Sequence, residues 1–151
     1  MPTLDKTIAQ LNHVLSTCHR GQVAFKYCEQ NADAEELLSF FSNLVVELPL
    51  AGDHLRRQIT RYGGRPVQHV GAAGMLYCVW QRLKLLLGQT DDQVLLKESS
   101  QALLSICRDF ESLLQEELPP VFRDPLVVQY DALLKRQAQL QALLDAQRLA
   151  D

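Results

Sequence analysis

The sequence predicts an all-α fold: an up-down four-helix bundle with a short extra helix in the crossover between the second and third long helices. Three observations carry this. Leucine occurs 28 times in 151 residues, against five Phe, four Tyr and one Trp, and leucine favours helix where strands favour β-branched and aromatic residues. Apolar residues recur at alternating steps of four and three, the seam of a packed helix. Short turn signals divide the chain into lengths suited to a bundle, read as a single domain over residues 1–151.

The first helix is expected from about Leu4 to Gln30. Its seam is Leu4, Ile8, Leu11, Leu15, Cys18, Gln22 and Phe25, polar at Gln22. Asn31-Ala32-Asp33 interrupts it. Asp33 with Glu36 three residues on reads as an N-cap and capping box. The second helix then runs to about Tyr62 on Leu37, Phe41, Leu44, Leu48, Ala51, Leu55, Ile59 and Tyr62. Pro49 lies inside it and should kink it. Gly63-Gly64 is a stop.

After a loop around Pro66, a shorter helix is expected over about Ala72–Leu87, ended by Gly88. The next runs from about Asp92 to Glu117 on Leu95, Ser99, Ala102, Leu103, Ile106, Phe110, Leu113 and Leu114. Leu118-Pro119-Pro120 stops it, because a residue before proline is pushed out of helical geometry. The last helix starts near Pro120, or at Pro125 with Asp124 as cap, and continues to about Leu149. Its seam is Leu126, Tyr130, Leu133, Gln137, Leu140 and Leu144, polar at Gln137. The connection of about 30 residues between the second and third long helices lets them run in the same direction.

Composition excludes several function classes. Hydrophobic residues at 47% and charged residues at 22% exclude a disordered chain. A formal charge of −3 with no basic tract argues against a nucleic-acid or anionic-membrane partner. The longest uncharged apolar run, Gly71–Trp80, falls short of the roughly 20 residues a membrane span needs. The N-terminus lacks the form of a signal peptide. Cys18, Cys28, Cys78 and Cys107 make no CxxC pair and no zinc spacing, so they read as buried thiols of a reduced, cytoplasmic protein.

The sequence resembles a bacterial family of small ferritin-like four-helix-bundle proteins of unknown function. The resemblance lies in Leu11-Asn12, Thr17-Cys18, Gly21 and Phe25. It continues in Leu55, Gly63-Gly64, Gly74, Trp80, the Gly88-to-Asp92 turn, Leu118-Pro119-Pro120 and Gln129-Tyr130. It spans about residues 8–146 and implies a ferritin-like bundle with no established activity. By this resemblance the family's interior acidic or histidine positions fall on Gln22, His54 and Gln137, with Glu98 or Ser99 nearest in the third long helix.

A ferritin-like di-metal centre takes a carboxylate from each of two helices and Glu-x-x-His from each of the other two. None of His13, His19, His54 and His69 has a Glu three residues before it. Glutamine keeps the size of glutamate without its charge. Gln22, His54, Ser99 and Gln137 are therefore expected to form a hydrogen-bonded polar layer in the core. No metal or cofactor is expected; the fallback is a mononuclear site built from Glu47, His54 and Glu98.

No catalytic set is evident. Cys18 and His19 point about 100° apart on a helix, His19 reading as a flank residue. Gly63-Gly64 lacks the GK[ST] of a phosphate loop. Asp53, His54, Arg56 and Arg57 could bind an anion or simply be a solvated face. The reading is a non-catalytic protein-interaction or stress-related module, self-associating as a homodimer or contacting another protein. The expected contact surface is Met75, Val79, Trp80 and Leu83, or the glutamine-rich last helix. The alternatives are a ferritin-like metal-binding protein or oxidoreductase with an atypical site, and a small-molecule binder with a pocket between helices.

Overall fold

The computed structural model describes residues 4–68 and 92–150. The expected short helix, with Met75, Val79, Trp80, Leu83 and Cys78, lies outside the described residues. Four helices account for nearly all the rest: α1 (Leu4–Asn31), α2 (Glu35–Arg61), α3 (Asp92–Leu114) and α4 (Pro120–Ala150).

Cross-helix bonds give the directions. Gln10 meets Glu116, Thr17 meets Asp109 and Cys28 meets Ser99, so α1 and α3 are antiparallel. Arg56 reaches His19, and Asn12 bonds the backbone of Arg65 and Val67, so α1 and α2 are antiparallel too. Hence α2 and α3 run the same way, as a long crossover permits. Helix α4 returns antiparallel to α2, with Arg136 on Glu47 and His54 on Phe122. Around the bundle the order is α2, α1, α3, α4, closed by a sparsely packed α4–α2 seam.

The core is aliphatic and aromatic. Leu15, Phe25, Phe41, Leu44, Leu48, Leu55, Ile59, Leu103 and Phe110 are fully buried. Phe25 stacks on Phe41, ring centroids 6.4 Å apart. Helix α2 runs unbroken through Pro49.

Two boundaries differ from expectation. Ala34, not Asp33, is the N-cap of α2, and no side chain of its own caps it. The cap comes from another helix: the Asp92 carboxylate accepts the N–H groups of Asp33 (3.0 Å) and Ala34 (3.1 Å). The α1–α2 turn sits against the start of α3, so one negative charge serves the N-terminal ends of both α2 and α3. Helix α3 stops at Leu114 rather than Glu117, where backbone bonds tighten into a turn and Arg123 takes the Leu114 carbonyl. Of the two starts expected for α4, Pro120 is the one found, and Pro125 lies inside the helix.

Candidate functional site

The expected polar layer is not brought together. Ser99 is buried where α1 meets α3; its hydroxyl donates to the Leu95 carbonyl (2.6 Å), leaving the Cys28 thiol, 3.4 Å away, to donate to Ser99 Oγ. His54 is buried on α2 and donates from Nε2 to the Phe122 carbonyl (3.4 Å). Gln22 and Gln137 are half-buried. Among the described residues the four do not bond to one another. A seam position marks the side a residue faces; it does not put residues of four helices at one height.

The fallback metal ligands are also apart. Glu47 holds Arg136, which donates from Nε to both carboxylate oxygens (3.1 Å each). Glu98 lines a cavity between α1 and α3. Among the described residues no three His, Cys, Asp or Glu side chains converge.

A ferritin-like di-metal group does not fit this interior. The buried polar residues described are Thr7, Thr17, His19, His54, Gln58 and Ser99, with no Asp or Glu among them. Two divalent ions need several anionic oxygens to neutralise them.

The thiols are buried as expected at Cys18, Cys28 and Cys107. Burial pushes Cys18 up to about 12, and the charge of Asp109 adds to this. Burial pushes Cys28 up to about 11, and the charge of Glu98 adds to this. Cys107 is likewise raised to about 11, by burial and by Glu111. All three are neutral thiols and poor nucleophiles at neutral pH.

A polar arrangement of four side chains lies along the α1–α3 groove. Asp109 Oδ2 accepts from Thr17 Oγ1 (2.7 Å) and lies 3.3 Å from His13 Nε2. Arg20 Nη2 donates to Thr17 Oγ1 (3.1 Å). Beyond Arg20 a cavity of about 260 Å³ opens, bordered by Gly21 and Ala24 of α1 and by Ser99 and Ala102 of α3. Its Thr17–Asp109 link joins residues 92 apart, so the sequence alone could not find it. His19, read as a flank residue, is instead 1% exposed, with Arg56 3.3 Å from its Nε2. It turns toward α2, a second partner that a one-seam reading of α1 does not include.

No described helix is long and apolar enough to cross a membrane. No curated protein matches the chain. Among solved structures, a two-domain protein from Anabaena variabilis ATCC 29413, containing DJ-1/ThiJ/PfpI-like and ferritin-like domains, is similar over 99% of this chain. The TM-score is 0.75 at 15% identity, and the chain spans 39% of that protein's length. The likeness bears on fold, and with the helix directions above it makes this a ferritin-like four-helix bundle. The profile of a family described as a domain of unknown function matches residues 6–116. That stretch runs from the first turn of α1 past the end of α3 and takes in the whole α1–α3 groove; the chain belongs to the DUF2383 family.

Proposed function

We propose that this protein is a non-catalytic ferritin-like bundle that works by protein contact, with a second copy of itself as the simplest partner. The observation that carries this is the exposed side of α4. The helix buries Leu126, Leu133 and Leu140, seven residues apart on one side, and leaves Val121 and Val128 each 68% exposed. Val46 and Leu50 of the neighbouring α2 are also more than half exposed. Apolar side chains left in water on adjacent helices favour an interface, and a two-fold pair is the commonest closed arrangement. Neutral Gln139, on the same side of α4, lowers the cost of desolvating it.

Light scattering tests it. A dimer at concentrations well above micromolar, converted to monomer by Val121→Asp with Val128→Asp while helicity is kept, is the expected result. A monomer in the unmodified chain overturns it. Trp80→Ala examines the other expected surface; loss of the dimer there alone moves the contact away from α4. The reading also includes no di-metal centre. Elemental mass spectrometry is expected to find no stoichiometric iron, manganese or zinc. One or more equivalents, lost on His54→Ala or Glu47→Ala, overturn that part.

A further inference from the structure

Helices α1 and α3 touch closely at one height and part at the next. At Gly21 an added Cβ would sit 2.7 Å from Ile106 Cδ1, so the two helices are in contact there. One turn further along α1, Ala24 faces Ala102 and Ser99 across a gap, because side chains this small do not fill the space between helix axes. The result is the cavity of about 260 Å³, bordered mainly by apolar atoms.

Its two ends differ in charge. At one end stands Arg20, half-buried and tied to Thr17 through Nη2. Arg20 makes no ion pair among the described residues, and Asp109, the nearby acid, already serves Thr17 and His13. A guanidinium keeps its charge at all ordinary pH and presents a fork of donors suited to a carboxylate. The other end holds Glu98 and the Cys28–Ser99 pair. Cys28 and Ser99 bond each other and the Leu95 carbonyl, so they offer a ligand no open donor.

We propose that this cavity binds a medium-chain carboxylate, with its head on Arg20 and its tail running between Ala24 and Ala102 toward Cys28. Charge sets the direction, since Arg20 attracts the head and Glu98 repels it from the far end. Length sets the chain. Arg20 and Cys28 are eight residues apart on α1, about 12 Å, and a chain of about eight carbons fills this once the van der Waals radii of the carboxylate oxygens and terminal methyl are added to its carbon skeleton of about 9 Å. This reading is independent of the exposed side of α4, because the cavity lies between the two other helices.

Calorimetric titration of the full chain with hexanoate, octanoate, decanoate and 1-octanol tests it. From hexanoate to octanoate the affinity should rise about fourfold per methylene, then level off at decanoate as the tail outruns the cavity. Octanoate should bind at least about tenfold tighter than 1-octanol, and Arg20→Gln should abolish that difference while leaving 1-octanol unchanged. Ala102→Leu fills the gap and should remove binding of both, with the circular dichroism unchanged. Octanoate and 1-octanol binding equally, an Arg20→Gln protein that keeps the preference, or no saturable heat up to millimolar octanoate each overturns the proposal. Arg20 is on the surface side of the groove, so its variant keeps the test valid if Ala102→Leu fails to fold.

Discussion

Helices α1 and α4 are of similar length, 28 and 31 residues, and occupy opposite corners of the bundle, yet they are buried to very different degrees. Helix α1 buries eleven residues, facing both α2 and α3. Helix α4 buries Leu126, Leu133 and Leu140, rests on α3 and meets α2 sparsely. A corner helix with two well-packed neighbours is locked by many contacts; one with a single good neighbour lies on the surface with a spare side. The family match follows the same division, covering α1 to α3 and ending before α4.

The largest expected effect compares like with like. Leu15 on α1 and Leu140 on α4 are both fully buried. Truncating a buried leucine to alanine costs roughly 2–5 kcal/mol, depending on how far the surroundings can close on the cavity. Around Leu15 the partner backbone is already close, since a Cβ on Gly52 would lie 3.6 Å from Leu15 Cδ1. Leu15→Ala should therefore cost about 4 kcal/mol and Leu140→Ala about 2 kcal/mol, because α4 can shift toward the groove with α2. Urea denaturation measures both. Equal losses would mean that α4 is held as rigidly as α1, and the comparison would fail.

A smaller effect sharpens it. Glu47 and Arg136 join α2 to α4 across the seam where packing is thinnest. Their side chains are 31% and 21% exposed, between a surface pair and a buried one. The Glu47 bond raises the Arg136 pKa against the opposing effect of burial. Glu47→Ala or Arg136→Ala should cost about 1 kcal/mol, and the double variant little more than either alone. Amide exchange should quicken along α4 while α1 keeps its protection. Equal loss of protection in α1 would show that the pair supports the whole bundle rather than one corner.

How much of this was legible in the sequence follows from the same contrast. A seam of 4-3 steps identifies one buried side, and that suffices for α4, whose buried residues Leu126, Leu133 and Leu140 all lie on the expected seam. Helix α1 is also buried on both flanks of its seam, at Thr17 and Gly21 toward α3 and at His19 toward α2. Small or polar residues there give no apolar period, so hydrophobic patterning does not register them. The turns at residues 31–34 and 118–120 were legible because prolines and a break in the pattern mark them. The Asp92 cap was not, because its carboxylate acts on a turn 58 residues away. The α1–α3 cavity was hidden for the same reason: it depends on which small residue of one helix lies level with which of another.

The smallest effect concerns the far end of the α2–α4 seam. His54 meets the Phe122 carbonyl there, and Tyr62 packs edge-on against the Phe122 ring at 5.0 Å. Burial lowers the His54 pKa from the ordinary 6.5; the Phe122 bond pulls it up, while Arg57 and Arg61 push it down. Below 6.5 the unfolded chain therefore takes up a proton at this residue before the folded chain does. Stability from this group is fully present above 6.5 and is lost as pH falls through 6.5 toward the lower folded value. Nuclear magnetic resonance titration of the His54 imidazole should give a midpoint below 6.5. Urea denaturation from about pH 5 to pH 8 should show a slope that His54→Gln reduces. A midpoint at or above 6.5 would show water reaching His54, and with it an α2–α4 seam open at this end as well.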